Sequence, residues 1–398
     1  MPKTAFARTE YIERIVKTKT CMETKGIDLF IVAQPENMLY LSGYANQTYP
    51  FLGFVIIASD EEEPLWVGRE STDQPAARLT TFMSDDRFVG YPETCHSGAQ
   101  IWRTDSGDTV ETFLANVLAE RGWDKRRIGL EFEAPNISTE FVQCLQRLLP
   151  QSTIIPADGL CASLRVVKSP QEIDYIRQAG VITERAMQIA IESITEGVRQ
   201  CDTAAAVYQA LVAGTPEYGG QQPYMEFTVG ERGPAIRSFW TDAPYRKGEL
   251  ACLELFGRRF GYEAGLTRSI SVGKPSDFVA NMMAVVVEAM NEAYEHVRPG
   301  VTYGQVGEVL HAVITKHGFE ARHGLGYSFN DWGDDGKAAW LAPGDDMILA
   351  PNHTIHMLPV MRMENGDWGL SMSTTLRVTE TGPAEHLTLA PSELIVKV

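Results

Sequence analysis

The run Ser169-Pro170-Gln171-Glu172 constrains this chain more than any other stretch. Serine suits a helix N-cap, proline the first helical position and glutamate the third, so each satisfies or removes an orphan amide of the first turn. Beyond it, Ile173, Ile176, Ala179, Ile182, Ala186, Ala190 and Ile194 recur at the steps of one helix face. A long helix therefore starts at about Pro170, and the chain divides just before it. A length of 398 residues is enough for two or three domains with full cores. We place the domains at residues 1–166 and 167–398.

The first part alternates helical and strand patterns. Arg8–Lys25 reads as a helix; 28–33, 51–58 and 64–68 read as strands. Asp108–Arg121 reads as a helix opening on a capping box, Asp108 with Glu111 three residues on. Strands at 127–132 and 152–157 with a helix near 138–148 complete an α/β layer unit. In the second part, Pro275–Val297 and Tyr303–His317 read as long helices. Ala251–Phe256, Ser269–Val272, Thr354–Leu358 and Gly369–Val378 read as strands.

A formal charge of −17 argues against binding to a phosphate backbone, which calls for clustered Lys and Arg. Six cysteines, at 21, 95, 144, 161, 201 and 252, form no CxxC pair, which suits reduced thiols. The opening residues lack an apolar signal core. The longest apolar stretch, near 51–58, is strand-length and far short of a membrane span. The expectation is a cytoplasmic enzyme with neither nucleic acid nor membrane as partner.

Glu254 stands between Leu253 and Leu255 on an apolar strand. Alternation puts it on the face opposite both leucines, where it either pairs or lines a cavity, because unpaired burial costs several kcal/mol. His356, in N-H-T-I-H-M-L-P at 352–359, is another polar residue in an apolar strand. His323 sits in R-H-G-L-G, whose glycines allow close approach to a ligand. Arg237, beside Trp240, can grip a carboxylate through its planar fork. Two D-W-G triplets contribute Trp332 and Trp368, each beside a turn glycine, as a wall over a small ligand or as loop staples.

Leu253–Ser269 (LELFGRRFGYEAGLTRS), Arg322–Gly326 (RHGLG) and Leu349–Pro359 (LAPNHTIHMLP) together resemble the creatinase, prolidase and methionine aminopeptidase family, the pita-bread enzymes. The resemblance covers nearly the whole chain and is strongest over 165–380. It implies a small amino-terminal creatinase-like α/β domain followed by a pita-bread α+β catalytic domain. In the metallopeptidases of that family two aspartates, a histidine and two glutamates hold two divalent cations. The aligned positions here are Glu254, Gly265, His323, His356 and Ser373. Gly265 has no donor and Ser373 only a neutral hydroxyl, whereas two ions need several anionic oxygens. The expectation is no metal and no other cofactor. A single zinc on Glu254, His323 and His356 is the alternative.

Glu254 with His356, the D-W-G triplets and N-M-L-Y-L-S-G-Y at 37–44 look like the ectoine hydrolase branch, which opens a small cyclic amidine bearing a carboxylate. Arg237 and Glu263 depart from that branch, where histidines are expected. The implied function is metal-independent hydrolysis of an amidine, amide or guanidine C–N bond in a small zwitterion. In this scheme Glu254 attacks or activates water, and His356 or His323 protonates the leaving nitrogen. Arg237, Trp240, Glu263, Thr267, Trp332, Trp368 and Ser373 would bind substrate. The resemblance also implies a homodimer in which the amino-terminal domain completes the partner's pocket, with Tyr49 and Phe51 suited to a lid. Three alternatives stand beside this reading: an Xaa-Pro dipeptidase with an altered metal site, a lyase, and a non-catalytic pita-bread protein.

Overall fold

The computed structural model describes residues 4–44, 52–95, 109–230, 238–328, 339–362 and 368–397, with only the backbone of Trp368. Two compact units, Met1–Arg165 and Val166–Val398, divide the chain. Among the described residues no helix is long and apolar enough to cross a membrane.

In the first unit, helices α1 (Arg8–Thr24), α2 (Pro35–Ser42), α3 (Asp73–Thr80), α4 (Val110–Glu120), α5 (Thr139–Leu148) and α6 (Leu160–Arg165) accompany one six-stranded sheet. Its strands are β1 (Leu29–Val32), β2 (Phe54–Ala58), β3 (Leu65–Arg69), β4 (Phe88–Tyr91), β5 (Arg127–Leu130) and β6 (Thr153–Pro156), in the order β4-β3-β2-β1-β5-β6. The central strands β1 and β2 are apolar and buried at every position because both faces of the sheet are covered there. Leu29 and Ile31 pack with Leu114, Leu118, Phe141 and Leu145, whereas Phe30 and Val32 pack with Ile15, Met22, Leu41 and Leu160.

Two local details differ from the sequence reading. The N-cap of α4 is Thr109, whose hydroxyl accepts from the Thr112 amide; this takes the place of the expected Asp108–Glu111 capping box, and Asp108 itself lies outside the described residues. Helix α2, which periodicity did not indicate, has no cap from its own Gln34 side chain. Buried Glu131 caps it instead, accepting from the amides of Ala33 and Gln34 and from Asn37 Nδ2 at 2.8, 2.7 and 2.5 Å. Burial raises that carboxyl to about 7 against the pull of these donors.

The second unit opens with α7 (Pro170–Ser193), and its Ser169–Glu172 capping box forms as the sequence indicates. Helix α8 (Gln200–Ala213) lies beside it. Strands β7 (Tyr224–Val229), β8 (Leu250–Arg259) and β9 (Tyr262–Val272) form an antiparallel sheet. Helices α9 (Asp277–Tyr294) and α10 (Tyr303–Lys316) follow. A second sheet starts with β10 (Gly326–Ser328) and β11 (Thr354–Met357); β12 (Val360–Arg362) and β13 (Trp368–Ser371) form a ribbon. Strands β14 (Thr374–Arg377) and β15 (Glu385–His386) complete the second sheet, and β16 (Ile395–Lys397) adds in parallel to β9. The single strand expected over Gly369–Val378 is thus two, divided at Met372-Ser373 because each half pairs with a different neighbour.

The β8–β9 turn sets the register that matters for the site. Its two loop residues, Phe260 and Gly261, have φ of 51° and 85°, as a type I′ hairpin requires. Tyr175 packs against the Phe260 ring, tilted at 52° with centroids 4.7 Å apart, and this contact holds the strained Phe260 backbone. Glu254 is thereby fixed opposite Thr267, and Phe256 opposite Gly265. Odd-numbered residues of β7 and β8, such as Phe227, Leu253 and Leu255, pack under α7 and α8 with Ile182 and Ala186. On β11, Ile355 and Met357 pack with Met282 and Val286 of α9.

His353, just before β11, is 4% exposed and lies 6.1 Å from the Tyr303 ring. Burial, with the nearby Lys168 charge, lowers its pKa from 6.5 to about 4. The folded state therefore prefers the neutral ring. The contribution is complete above about pH 6.5 and is lost as pH falls toward 4. The melting temperature of the chain is expected to drop across that window, and His353→Gln is expected to flatten the drop. Equal pH profiles for both proteins would remove His353 from the account.

Candidate active site

The even-numbered residues of β7 and β8 and the odd-numbered residues of β9 face away from α7 and α8. They line a cavity of about 470 Å³ with residues of the second sheet and the ribbon. Tyr224, Glu226 and Thr228 come from β7; Cys252, Glu254, Phe256 and Arg258 from β8; Glu263 and Thr267 from β9. Arg322, Tyr327 and Trp340 line the other side.

Glu254 and His356 meet. His356 Nε2 is 3.2 Å from Glu254 Oε1. The His356 side chain is fully buried, while Glu254 keeps 14% exposure. His356 is not among the lining residues, so the carboxylate faces the cavity and the imidazole stands behind it. Strand alternation explains the direction: Ile355 and Met357 turn toward α9, so His356 turns toward β8 and β9. Phe256 and Tyr327 flank its ring at 5.5 and 5.4 Å.

Gly265 lets the imidazole in. A Cβ at this position would stand 2.5 Å from His356 Cε1 and 2.6 Å from Phe256 Cε1. Any side chain there collides with the histidine. Ser373, also fully buried, donates its hydroxyl to Thr267 Oγ1 at 2.8 Å, and its amide donates to the Thr267 carbonyl. Thr267 therefore lines the cavity with Ser373 behind it. At the places where the resemblance implies metal-binding carboxylates, the structure has an imidazole over a glycine and a hydroxyl pair. Among the described residues no group of three or more His, Cys, Asp or Glu side chains is arranged to hold a metal ion. The residues present do not fit a two-metal centre.

Glu263 is buried and ion-paired with Arg258. Glu226, 8% exposed, accepts from the Tyr224 hydroxyl at 2.6 Å and lies directly opposite Glu254 across the β7–β8 ladder. Burial pushes the Cys252 thiol up to about 12, so it stays protonated near neutral pH and is a poor nucleophile.

Other sequence-stated residues lie elsewhere. His323 is exposed; its carbonyl accepts from His311 Nε2 at 2.8 Å and its ring stands 6.3 Å from that of His311. Its neighbours Arg322 and Gly324 line the cavity and His323 does not, so the structure does not bring it to Glu254 and His356. Trp240 packs on Tyr208 and Phe227, on the α8 side of the sheet. Arg237, Trp332, Tyr49, Phe51 and the Trp368 side chain lie outside the described residues. The sequence reading missed Glu226, Arg258 and Arg322. For Glu226 the signal was present, since Met225, Phe227 and Val229 alternate with Tyr224, Glu226 and Thr228.

Comparison with known proteins accords with this architecture. Residues 174–380 match the metallopeptidase family M24, and residues 14–167 match the creatinase/prolidase N-terminal domain. An uncharacterized hydrolase/peptidase of Sinorhizobium fredii, y4tM, is 33% identical over 401 residues, covering 98% of each chain. The ectoine hydrolase of Halomonas elongata is 31% identical over 406 residues, again covering 98% of each. The crystal structure of dipeptidase PepE from Mycobacterium ulcerans has the same fold, with a TM-score of 0.80 at 21% identity over 98% of this chain and 99% of that one. A creatinase/prolidase amino-terminal domain followed by a pita-bread domain, with family matches across both, makes this chain a hydrolase-type member of the M24 family.

Proposed function

We propose that the protein is a metal-independent hydrolase of an amidine, amide or guanidine C–N bond in a small zwitterionic metabolite. The observation that carries this reading is the Glu254–His356 pair: the imidazole occupies the space a side chain at position 265 would need, and it holds a carboxylate at the cavity wall. Similarity to an ectoine hydrolase supports the same substrate class.

The chemistry needs one carboxylate that contacts the substrate. Glu254 takes a proton from water as the water oxygen bonds to the amidine or amide carbon. The resulting tetrahedral carbon collapses, and the carbon–nitrogen bond breaks. Protonated Glu254 returns its proton to the departing nitrogen, which leaves as an amine and restores the carboxylate. His356 is a positioning residue here, because it reaches the substrate only through Glu254. Arg322, a guanidinium at the cavity, suits the carboxylate end of a zwitterion.

The test pairs elemental analysis with turnover. The purified protein is expected to carry less than stoichiometric divalent metal. It is expected to hydrolyse a member of an amidine, amide and guanidine metabolite panel, read by mass spectrometry, at a rate unchanged by exhaustive chelation. One or two equivalents of zinc, manganese or iron with chelator-sensitive turnover would overturn the proposal.

A further inference from the structure

We infer that the Thr267 hydroxyl is a catalytic hydrogen-bond donor, which stabilises the negative charge that builds beside the reacting carbon. The inference rests on the hydrolase reading, because that charge develops when water adds to a C=O or C=N bond. Thr267 lines the cavity, although it is only 1% exposed. It stands directly opposite Glu254 on the adjacent antiparallel strand, and both side chains turn to the cavity. Residues so paired are close neighbours, with Cβ atoms about 4.5–5.5 Å apart. A water held by Glu254 and the double-bonded atom of the substrate fit side by side before this pair, the water at the carboxylate and the atom at the hydroxyl.

The hydroxyl has a direction. Fully buried Ser373 donates to Thr267 Oγ1 at 2.8 Å, so Thr267 is the acceptor of that bond and keeps its own proton to give. Among the described residues no hydrogen bond takes up that proton. Two other hydroxyls of the wall are committed, Ser371 to the Pro359 carbonyl at 3.0 Å and Tyr224 to Glu226 at 2.6 Å. A hydroxyl that already accepts a bond is polarised and donates more strongly. The backbone holds the pair in place. The carbonyls of Thr267 and Ser373 both accept from Arg268 Nη1, at 2.6 and 2.7 Å, and the Ser373 amide donates to the Thr267 carbonyl at 3.1 Å. Arg268 is itself 2% exposed and also donates to the carbonyls of Pro391 and Ala390. A donor fixed before the reaction needs no rearrangement when charge appears.

The electrons balance with the proton transfer already assigned to Glu254. As the water oxygen bonds to carbon, the water proton passes to Glu254 and the π pair of the C=O or C=N bond moves onto its oxygen or nitrogen. The Thr267 O–H donates to that atom. The pair returns to carbon as the C–N bond breaks, and Glu254 gives the proton to the leaving nitrogen.

The experiment is a titration of the full-length protein with methylboronic acid near neutral pH, where the free acid is trigonal, followed by boron NMR. Boron takes the water oxygen as the proton passes to Glu254, and the tetrahedral boronate copies the developing anion. The wild type is expected to give a saturable tetrahedral boron signal and Glu254→Gln none. Thr267→Val is expected to weaken binding by at least about tenfold, the loss of one charge-assisted hydrogen bond. Thr267→Ser keeps the hydroxyl and is expected to restore most of it. Valine leaves the Ser373 hydroxyl without its acceptor. Thr267→Val combined with Ser373→Ala removes both partners and is the test should the single variant misfold by circular dichroism. On a substrate from the metabolite panel, Thr267→Val is expected to lower kcat by about 10²–10³ with KM little changed. Absence of tetrahedral boron in the wild type, or equal affinity in the folded valine variant, would overturn the assignment. Tetrahedral boron that persists in Glu254→Gln and vanishes in Thr267→Val would make Thr267 a nucleophile and overturn the donor role. The two readings separate cleanly. Boronate binding that depends on Thr267, without turnover of any C–N substrate, would reject the hydrolase and leave the Thr267 donor standing. Turnover with unchanged kcat in Thr267→Val would reject Thr267 and leave the hydrolase standing.

Discussion

Glu254→Gln is expected to lower turnover by about 10²–10⁴, the usual worth of a positioned acid–base group, with little change in melting temperature. Glutamine keeps the shape and can still meet His356, but it neither takes a proton from water nor returns one to nitrogen. The fall should appear in kcat, because the proton moves only as the transition state forms. The carboxylate is partly exposed and faces the cavity, so removing its charge should not unfold the domain. The companion variants at His356 separate positioning from bulk. His356→Gln can place an amide N–H near the position of Nε2 and should retain more turnover than His356→Leu, which fills space but cannot pair with Glu254. Equal activity in those two variants would make His356 a packing residue only. Wild-type turnover in Glu254→Gln would remove the mechanism.

Gly265→Ala is expected to damage both stability and turnover, although it adds one methyl group. The new Cβ would stand 2.5 Å from His356 Cε1 and 2.6 Å from Phe256 Cε1, and all three residues lie in a packed sheet interior. Overpacking of this kind costs about 1–3 kcal/mol. Relief requires the imidazole to move, which breaks its pairing with Glu254. Combining Gly265→Ala with His356→Ala should recover part of the stability loss, because the clash partner is gone, and the recovery measures the coupling directly. Strict additivity in that cycle would show that the close approach carries no energy. Gly265→Asp is expected to behave like the alanine variant and not to create a metal centre, since Ser373 remains hydrogen-bonded to Thr267.

The amino-acid sequence by itself determined the parts of this protein that depend on neighbours along the chain. Ser169, Pro170 and Glu172 start α7 wherever the rest of the unit lies, because a capping box closes within four residues. The alternation around Glu254 fixes which face of β8 it occupies, because successive side chains point to opposite sides. The positive-φ turn at Phe260-Gly261 then sets its cross-strand partners. Only the tertiary structure decided what those faces meet. His356 lies 102 residues from Glu254, and nothing local says that its ring comes down on Gly265. Glu226 joins the site through the β7–β8 ladder, and Arg258 with Glu263 through the β8–β9 ladder. His323 shows the limit from the other side. The glycines around it set no periodicity, so its sequence context leaves its direction open, and packing on α10 turns it to His311 while Arg322 takes the cavity. Local rules act through bonds and turns a few residues long. Site geometry is decided by the steric fit of strands far apart in the chain, which no short stretch contains.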